Sequence, residues 1–290
     1  MILVTGGKGQ VGHCFQEIAA RTRGPRFLFV DVQELDITNA RAVKVFFKKH
    51  PEIKWVVNCA AYTAVDKAET DQVLAKKINV AGAKNLAVAC REHGLPFVHI
   101  STDYVYHNKQ NTPFIEGDPE SPKGVYAKTK LLGDRAALAA NPATMILRTS
   151  WVYSSFGQNF VKTMLRLGRE REELRIVFDQ IGTPTYAPDL VSAILQIIEA
   201  VDSGQVSKET MRGVFHFSNE GVTSWYDFTA AIFEQKNIGC RVLPIRSAEY
   251  PTPAERPPFS VLDKAKIKSV FGLEIPHWRD GLKRCLEILD

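Results

Sequence analysis

Short apolar runs alternate with longer amphipathic stretches over the first half of the chain. Ile2-Leu3-Val4-Thr5 is apolar at consecutive positions and runs into glycines, as a strand buried on both faces does. Residues 26–30, 55–57, 97–100 and 145–147 repeat the pattern. Runs apolar on both faces suit a parallel sheet covered by helices on each side. Between them, residues 40–49 place Val43, Phe46 and Phe47 on one stripe above a basic C-terminal end. Residues 75–93 form a longer helical stretch that stops at Gly94 and Pro96. Strand–helix–strand alternation implies right-handed crossovers, hence an α/β, Rossmann-type doubly wound parallel sheet over residues 1–150.

After about Ser150 the pattern changes. Aromatic, proline and glycine residues cluster at 151–157, 179–188 and 250–259, with helical stretches at 160–171, 189–200, 225–236 and 278–289. The expectation is a smaller, loop-rich substrate lobe over residues 151–290, with parts of about 185–217 returning to the sheet. Ligands in such folds bind in the crevice at the carboxyl ends of the strands.

Composition narrows the class. The 290 residues are 45% hydrophobic and 24% charged, close to globular averages. The net charge of +5 is spread without a dense basic run, so no nucleic-acid partner is expected. Five scattered cysteines form no CxxC pair, and seven histidines form no HxxxH or HExxH pattern, which argues against a disulfide framework or a zinc site. The opening MILVTGG does not resemble a signal peptide, and no apolar run approaches the ~20 residues of a membrane span. A cytoplasmic protein without membrane partner or metal is expected.

The first run leads into Gly6-Gly7-Lys8-Gly9-Gln10-Val11-Gly12, with Gly6, Gly9 and Gly12 at GxxGxxG spacing. The first glycine permits a tight turn, the second lets a pyrophosphate approach backbone N–H groups, and the third lets helix and strand pack closely. Asp31 ends the second strand, where a carboxylate hydrogen-bonds adenosine ribose and favours NAD; Lys8, close by, can offset the 2′-phosphate of NADP. The cofactor is therefore NADPH or NADH, as a small-molecule redox partner.

Tyr126-Ala127-Lys128-Thr129-Lys130 puts Tyr126 and Lys130 at i,i+4 on one helix face. A phenol with a pKa of ~10 exchanges protons poorly at neutral pH. A neighbouring ammonium lowers that value and makes Tyr126 a general acid or base. Thr102, at the end of the fourth strand, can donate a hydrogen bond to a carbonyl on which negative charge develops.

Strand, glycine turn, hydroxyl and Tyr-Lys pair, in this order, resemble the short-chain dehydrogenase/reductase superfamily in its extended, nucleotide-sugar-modifying branch. That branch implies adenine contacts at Asp36-Ile37, cofactor contacts at Ala60-Ala61-Tyr62, and a role for Asn79. Longer stretches are similar to the dTDP-4-dehydrorhamnose reductases almost end to end. They are the segment from Asn58 to Glu69, Ser101-Thr102-Asp103-Tyr104-Val105-Tyr106, Val125 to Lys130, Arg148-Thr149-Ser150-Trp151-Val152-Tyr153, Asn159-Phe160-Val161, Asp179 to Thr185, and Tyr250 to Pro257.

The resemblance implies reduction of the 4-keto group of dTDP-4-dehydro-L-rhamnose to dTDP-L-rhamnose. Thr102, Tyr126 and Lys130 are the implied catalytic residues. Val65, Asp103, Tyr104 and Trp151 line the implied sugar pocket, and Arg256 pairs with the diphosphate. Some members join two subunits through magnesium and a carboxylate in the first helix. Cys14 stands there, although Asp189 keeps an acid at another such position, so a monomer or a homodimer without that metal is expected. Ala127 also replaces the family's usual glycine. Rival readings are a nucleotide-sugar dehydratase, for which the second acid after Thr102 is missing because Tyr104 follows Asp103, a 4-epimerase, and a non-catalytic subunit resembling the regulatory subunit of methionine adenosyltransferase.

Overall fold

A computed structural model describes residues 1–21 and 24–289. The apolar runs form β1 (Ile2–Thr5), β2 (Phe27–Val30), β3 (Trp55–Asn58), β4 (Phe97–Thr102) and β5 (Thr144–Thr149). The helices among them are α1 (Gln10–Arg21), α2 (Ala40–Lys49), the short α3 (Val65–Ala68) and α4 (Gln72–Lys76), α5 (Ala83–Glu92) and α6 (Gly124–Ala140). Asn39 caps α2 by accepting from the Ala42 N–H, and Lys48 and Lys49 sit in its last turn, where cations favour the helix dipole.

The second half adds β6 (Val152–Tyr153), β7 (Glu173–Val177), β8 (Ile181–Gly182), β9 (Thr185–Tyr186), β10 (Gly213–His216), β11 (Thr223–Ser224) and β12 (Arg241–Ile245). Its helices are α7 (Phe160–Glu170), α8 (Ala187–Asp202), α9 (Trp225–Gln235), α10 (Ala265–Phe271) and α11 (Trp278–Ile288).

Six strands make one parallel sheet in the order β10-β5-β4-β3-β1-β2. Side-chain alternation explains why the runs are apolar throughout. Ile2, Val4, Trp55, Val57, Val98, Met145 and Leu147 point to the face covered by α1 and α8, where they meet Phe15, Leu190 and Ile194. Leu3, Val56, Phe97 and Ile146 point to the other face, against Val43 and Phe47 of α2, Leu86 of α5 and Ala137 of α6. α8 and β10 thus contribute to the sheet layers, although the chain has already left the sheet after β5.

A third core gathers Val161 and Leu165 of α7, Phe228 and Ile232 of α9, and Trp278 and Leu282 of α11. Two-stranded pairings β6–β9, β7–β12 and β8–β11 tie this part together.

The stretch 75–93 differs from a single α-helix. α4 runs into a π-helical segment, Lys77–Gly82, before α5 begins. Contacts on both sides hold the widened turn. Asn79 accepts from the Tyr62 N–H at 2.8 Å and donates to Thr129 Oγ1 at 3.0 Å. At Gly82, a Cβ would stand 2.6 Å from Ile37 Cδ1. Such contacts come from distant segments, and a hydrophobic period does not report them.

Candidate active site

β1 and β3 are neighbours, and their connections leave in opposite directions, so a crevice opens at their carboxyl ends. A cleft of about 850 Å³ lies there. At one end it is lined by Gly6, Gly9, Gln10, Val11, Gly12, Asp31, Asp36, Ile37, Ala60 and Ala61, and at the other by Val65, Thr102, Asp103, Tyr104, Tyr126, Lys130 and Trp151. Residues proposed from segments more than a hundred positions apart therefore meet in one cavity.

The glycine end is shaped by backbone. Gly6 has φ +67, and a Cβ there would lie 2.7 Å from the Ala60 nitrogen. A Cβ on Gly12 would lie 2.4 Å from the Gly6 oxygen, so only glycine lets α1 start this close to the turn. Gln10 and Val11 open α1, where N–H groups point out of the helix end. Asp31 accepts from the Lys8 N–H at 3.0 Å and the Val32 N–H at 2.8 Å, bracing the loop, while Lys8 Nζ donates to Gln33 at 2.9 Å. Asp36 accepts from the N–H and hydroxyl of Thr38, and the hydroxyl holds its carboxyl below the usual range. Gln10 also reaches the second half of the chain, accepting from Ser154 Oγ at 3.2 Å and Asn159 Nδ2 at 3.0 Å.

The other end is crowded with side chains. Tyr126 and Tyr104 meet edge to face, with ring centroids 5.6 Å apart. Burial pushes the Tyr126 phenol up to about 12, against the pull of the Thr102 hydroxyl. This corrects the expectation that Lys130 draws the phenol down. The Lys130 amine instead donates to the Ile100 carbonyl at 2.7 Å and lies 3.4 Å from His99 Nε2. Burial lowers Lys130 itself to about 8, with Asp134 and Cys59 opposing the shift. Thr102 donates to Asp103 Oδ1 at 3.1 Å, so its proton has to turn to meet a ligand carbonyl. Burial raises Asp103 to about 7, countered by the Ser260 and Thr102 hydroxyls.

Two expected residues stand outside the cleft lining. Tyr62 holds the wall from behind: its backbone is clamped by Asn79 and its hydroxyl donates to Asp71 at 3.1 Å. Arg256 is held by Asp66 in two contacts of 3.0 and 2.7 Å. To reach a diphosphate it has to share or exchange that carboxylate.

Sequence reasoning missed Trp225, which lines the cleft and stacks on Trp151 with centroids 3.5 Å apart and planes 7° from parallel. Such a stack contributes about 0.5–1.5 kcal/mol beyond its area. Ser224 caps α9 by accepting from the Asp227 N–H, which fixes the indole at the helix start, but its partner Trp151 is distant in the chain and no local pattern marks the stack. Trp151 has φ +46, unusual for a bulky residue, and a Cβ on Gly182 would lie 2.6 Å from its ring. The glycine of the Asp179–Thr185 stretch thus makes room for the indole.

Cys14 is fully buried. Asp189 is taken up by Arg284, at 2.8 and 2.7 Å, and by Asn219 at 2.7 Å. Among the described residues, no cluster of three or more His, Cys, Asp or Glu has metal-binding geometry. No helix there is long and apolar enough to cross a membrane.

The family model described as "RmlD substrate binding domain" matches residues 1–290. A dTDP-4-dehydrorhamnose reductase of Aggregatibacter actinomycetemcomitans is 40% identical over 290 residues, covering 97% of each chain. The crystal structure of a dTDP-4-dehydrorhamnose reductase from Clostridium acetobutylicum superposes with a TM-score of 0.92 at 41% identity, over 99% of each chain. That of the Bacillus anthracis reductase in complex with NADP superposes with a TM-score of 0.90 at 35% identity, over 99% of this chain and 98% of that one.

Proposed function

The chain belongs to the RmlD substrate binding domain family, and from that premise we propose that it is an NAD(P)H-dependent dTDP-4-dehydrorhamnose reductase. It reduces the 4-keto group of dTDP-4-dehydro-L-rhamnose to the alcohol of dTDP-L-rhamnose, in dTDP-rhamnose biosynthesis. The observation that carries this reading is the convergence of Thr102, Tyr126 and Lys130 on a cleft whose other end is a glycine turn at a helix start.

The turn fits a dinucleotide: side chains at Gly6 or Gly12 would collide with backbone, and their absence leaves a cradle at the α1 N-terminus. Gly6, Gly9, Gln10, Val11 and Gly12 would hold the pyrophosphate, Asp31 the adenosine ribose, Asp36 and Ile37 the adenine, and Ala60, Ala61 and the Tyr62 backbone the central part. When bound, the nicotinamide cofactor supplies the hydride.

The chain's own residues do the rest. Thr102 turns its hydroxyl from Asp103 to the sugar carbonyl and stabilises the charge that develops there. Tyr126 gives its phenolic proton to the forming alkoxide. Lys130 would hold the nicotinamide ribose and would support the phenolate that remains. Val65, Asp103, Tyr104 and Trp151 position the sugar, and Arg256 turns from Asp66 toward the diphosphate. Residues 1–150, with α8 and β10, form the cofactor unit, and most of 151–290 the substrate lobe. The chain acts as a monomer or homodimer in the cytoplasm, on small molecules alone.

Purified protein should oxidise NADPH or NADH only when dTDP-4-dehydro-L-rhamnose is present. Unchanged nicotinamide absorbance with both cofactors would sink the assignment and favour the non-catalytic reading. Product analysis separates reductase from epimerase, since only the reductase consumes one cofactor per sugar.

A further inference from the structure

Next to Lys130 lies a buried polar chain that proton transfer at Tyr126 does not itself require. Asn58 sets its chemistry. Asn58 Oδ1 accepts from the Ala60 N–H at 3.2 Å and from Thr5 Oγ1 at 2.6 Å, so its Nδ2 is the edge 2.8 Å from His99 Nδ1. An amide NH₂ only donates, which makes His99 Nδ1 the acceptor and puts the proton of the neutral ring on Nε2. Burial and the Lys130 charge keep that ring neutral.

The Nε2–H therefore faces two atoms, Lys130 Nζ at 3.4 Å and Asp134 Oδ1 at 3.7 Å. An N–H aimed at an ammonium is unfavourable, and at a free amine lone pair it is favourable. Asp134 works the other way. It is 1% exposed, accepts from Ser101 Oγ at 2.7 Å through Oδ2, and its Oδ1 has no hydrogen-bond partner among the described residues.

We propose that His99 and Asp134 are positioning residues for Lys130, opposed in sign: the fixed His99 N–H disfavours the ammonium and the Asp134 carboxylate sustains it. Together they set the pH range over which Lys130 can support Tyr126, a statement that rests on the reductase reading. Titratable and charged groups face this cluster from every side. They are Tyr126, Lys130 and Asp134 of α6, His99 of β4, Asp103 just after β4 on the Tyr126 side, Cys59 after β3, and Arg148 of β5, 3.6 Å from Asp134 and itself paired with Glu120 at 2.6 Å. Burial raises the Asp134 carboxyl, and the Lys130 and Arg148 cations and the Ser101 hydroxyl oppose that shift, so the ionised form it needs as a counter-charge is the one its neighbours favour.

The test combines the pH profile of kcat/KM, which reports groups of the free enzyme, with a readout that needs no substrate. Wild-type kcat/KM should fall as pH rises through about 8, where Lys130 loses its proton. Asp134→Asn should move that limb down by roughly one pH unit, and Asp134→Glu should restore it. His99→Leu, which removes the facing N–H, should move it up. His99→Gln, able to accept from Asn58 and donate toward Lys130, should leave it in place and covers the case in which the leucine variant fails to fold. In parallel, the Lys130 side-chain resonance is titrated in protein labelled with ¹³C at lysine Cε and assigned by its loss in Lys130→Met. Opposite shifts for Asp134→Asn and His99→Leu support the proposal. An unmoved Lys130 titration, or shifts of the same sign, overturns it. Resonance shifts without wild-type turnover would leave the positioning pair standing and remove the reductase reading.

Discussion

The two ends of the cleft are built by different means. The glycine end is defined by what is missing: side chains at Gly6 and Gly12 would strike backbone at 2.7 and 2.4 Å. It offers N–H groups of the β1–α1 turn and carboxylates that follow β2, walled by the backbone after β3, and Asp31 and Asp36 are only half-buried. The chemical end is defined by what is present. Thr102 from β4, Tyr126 and Lys130 from α6, Trp151 after β5 and Trp225 from α9 converge on it, and burial displaces the acid–base behaviour of Tyr126 and Lys130. One end recognises by shape that any backbone of the right form supplies. The other relies on the alignment of distant segments, so single substitutions there should separate binding from chemistry.

The sharpest way to break that contrast is Tyr126→Phe. It should lower kcat by about 10²–10⁴-fold while the cofactor Kd, measured by fluorescence quenching, stays within about twofold of wild type. A matching loss of cofactor affinity would show that the two ends are not separable. Gly12→Ala attacks the other end. The added methyl has only backbone to displace, so stability should fall by about 1–3 kcal/mol, with cofactor Kd rising roughly tenfold or more. Near-native Tm and Kd would mean that the turn relaxes freely.

Smaller effects sharpen the picture at the sugar side. Trp225→Ala removes the partner of Trp151, and KM for the sugar nucleotide should rise about three- to tenfold with kcat little changed. A kcat effect of equal size would place Trp225 among the groups that act in the transition state. Arg256→Lys keeps the charge but loses the two-pronged contact with Asp66, and KM should rise by about two- to fivefold. No change in KM would leave Arg256 a strut between the Tyr250–Pro257 stretch and α3.

Much of the first region was legible because its determinants are local. Consecutive apolar positions in Ile2–Thr5 and Trp55–Asn58 mark strands buried on both faces, and glycine spacing marks a turn wherever it follows one. The Tyr126/Lys130 pair was legible for the same reason, since helix geometry alone places i and i+4 together. What escaped depended on neighbours far along the chain. The π-helical turn Lys77–Gly82 is held by Asn79 against Tyr62 and Thr129. The Lys130 amine donates to the Ile100 carbonyl instead of simply biasing Tyr126, because β4 carries that acceptor beside it. Trp225 lies 74 positions beyond Trp151, and only the fold stacks them.

The central claim is that the two ends serve one reaction, transfer of a hydride to a sugar-nucleotide ketone with proton donation by Tyr126. Its most direct measurement is nicotinamide absorbance in a mixture of purified protein, NADPH or NADH, and dTDP-4-dehydro-L-rhamnose. The expected result is loss of reduced cofactor in one-to-one proportion with the appearance of dTDP-L-rhamnose, abolished by omitting the sugar and nearly abolished in Tyr126→Phe. Cofactor that stays reduced, or turnover that Tyr126→Phe leaves intact, would contradict it.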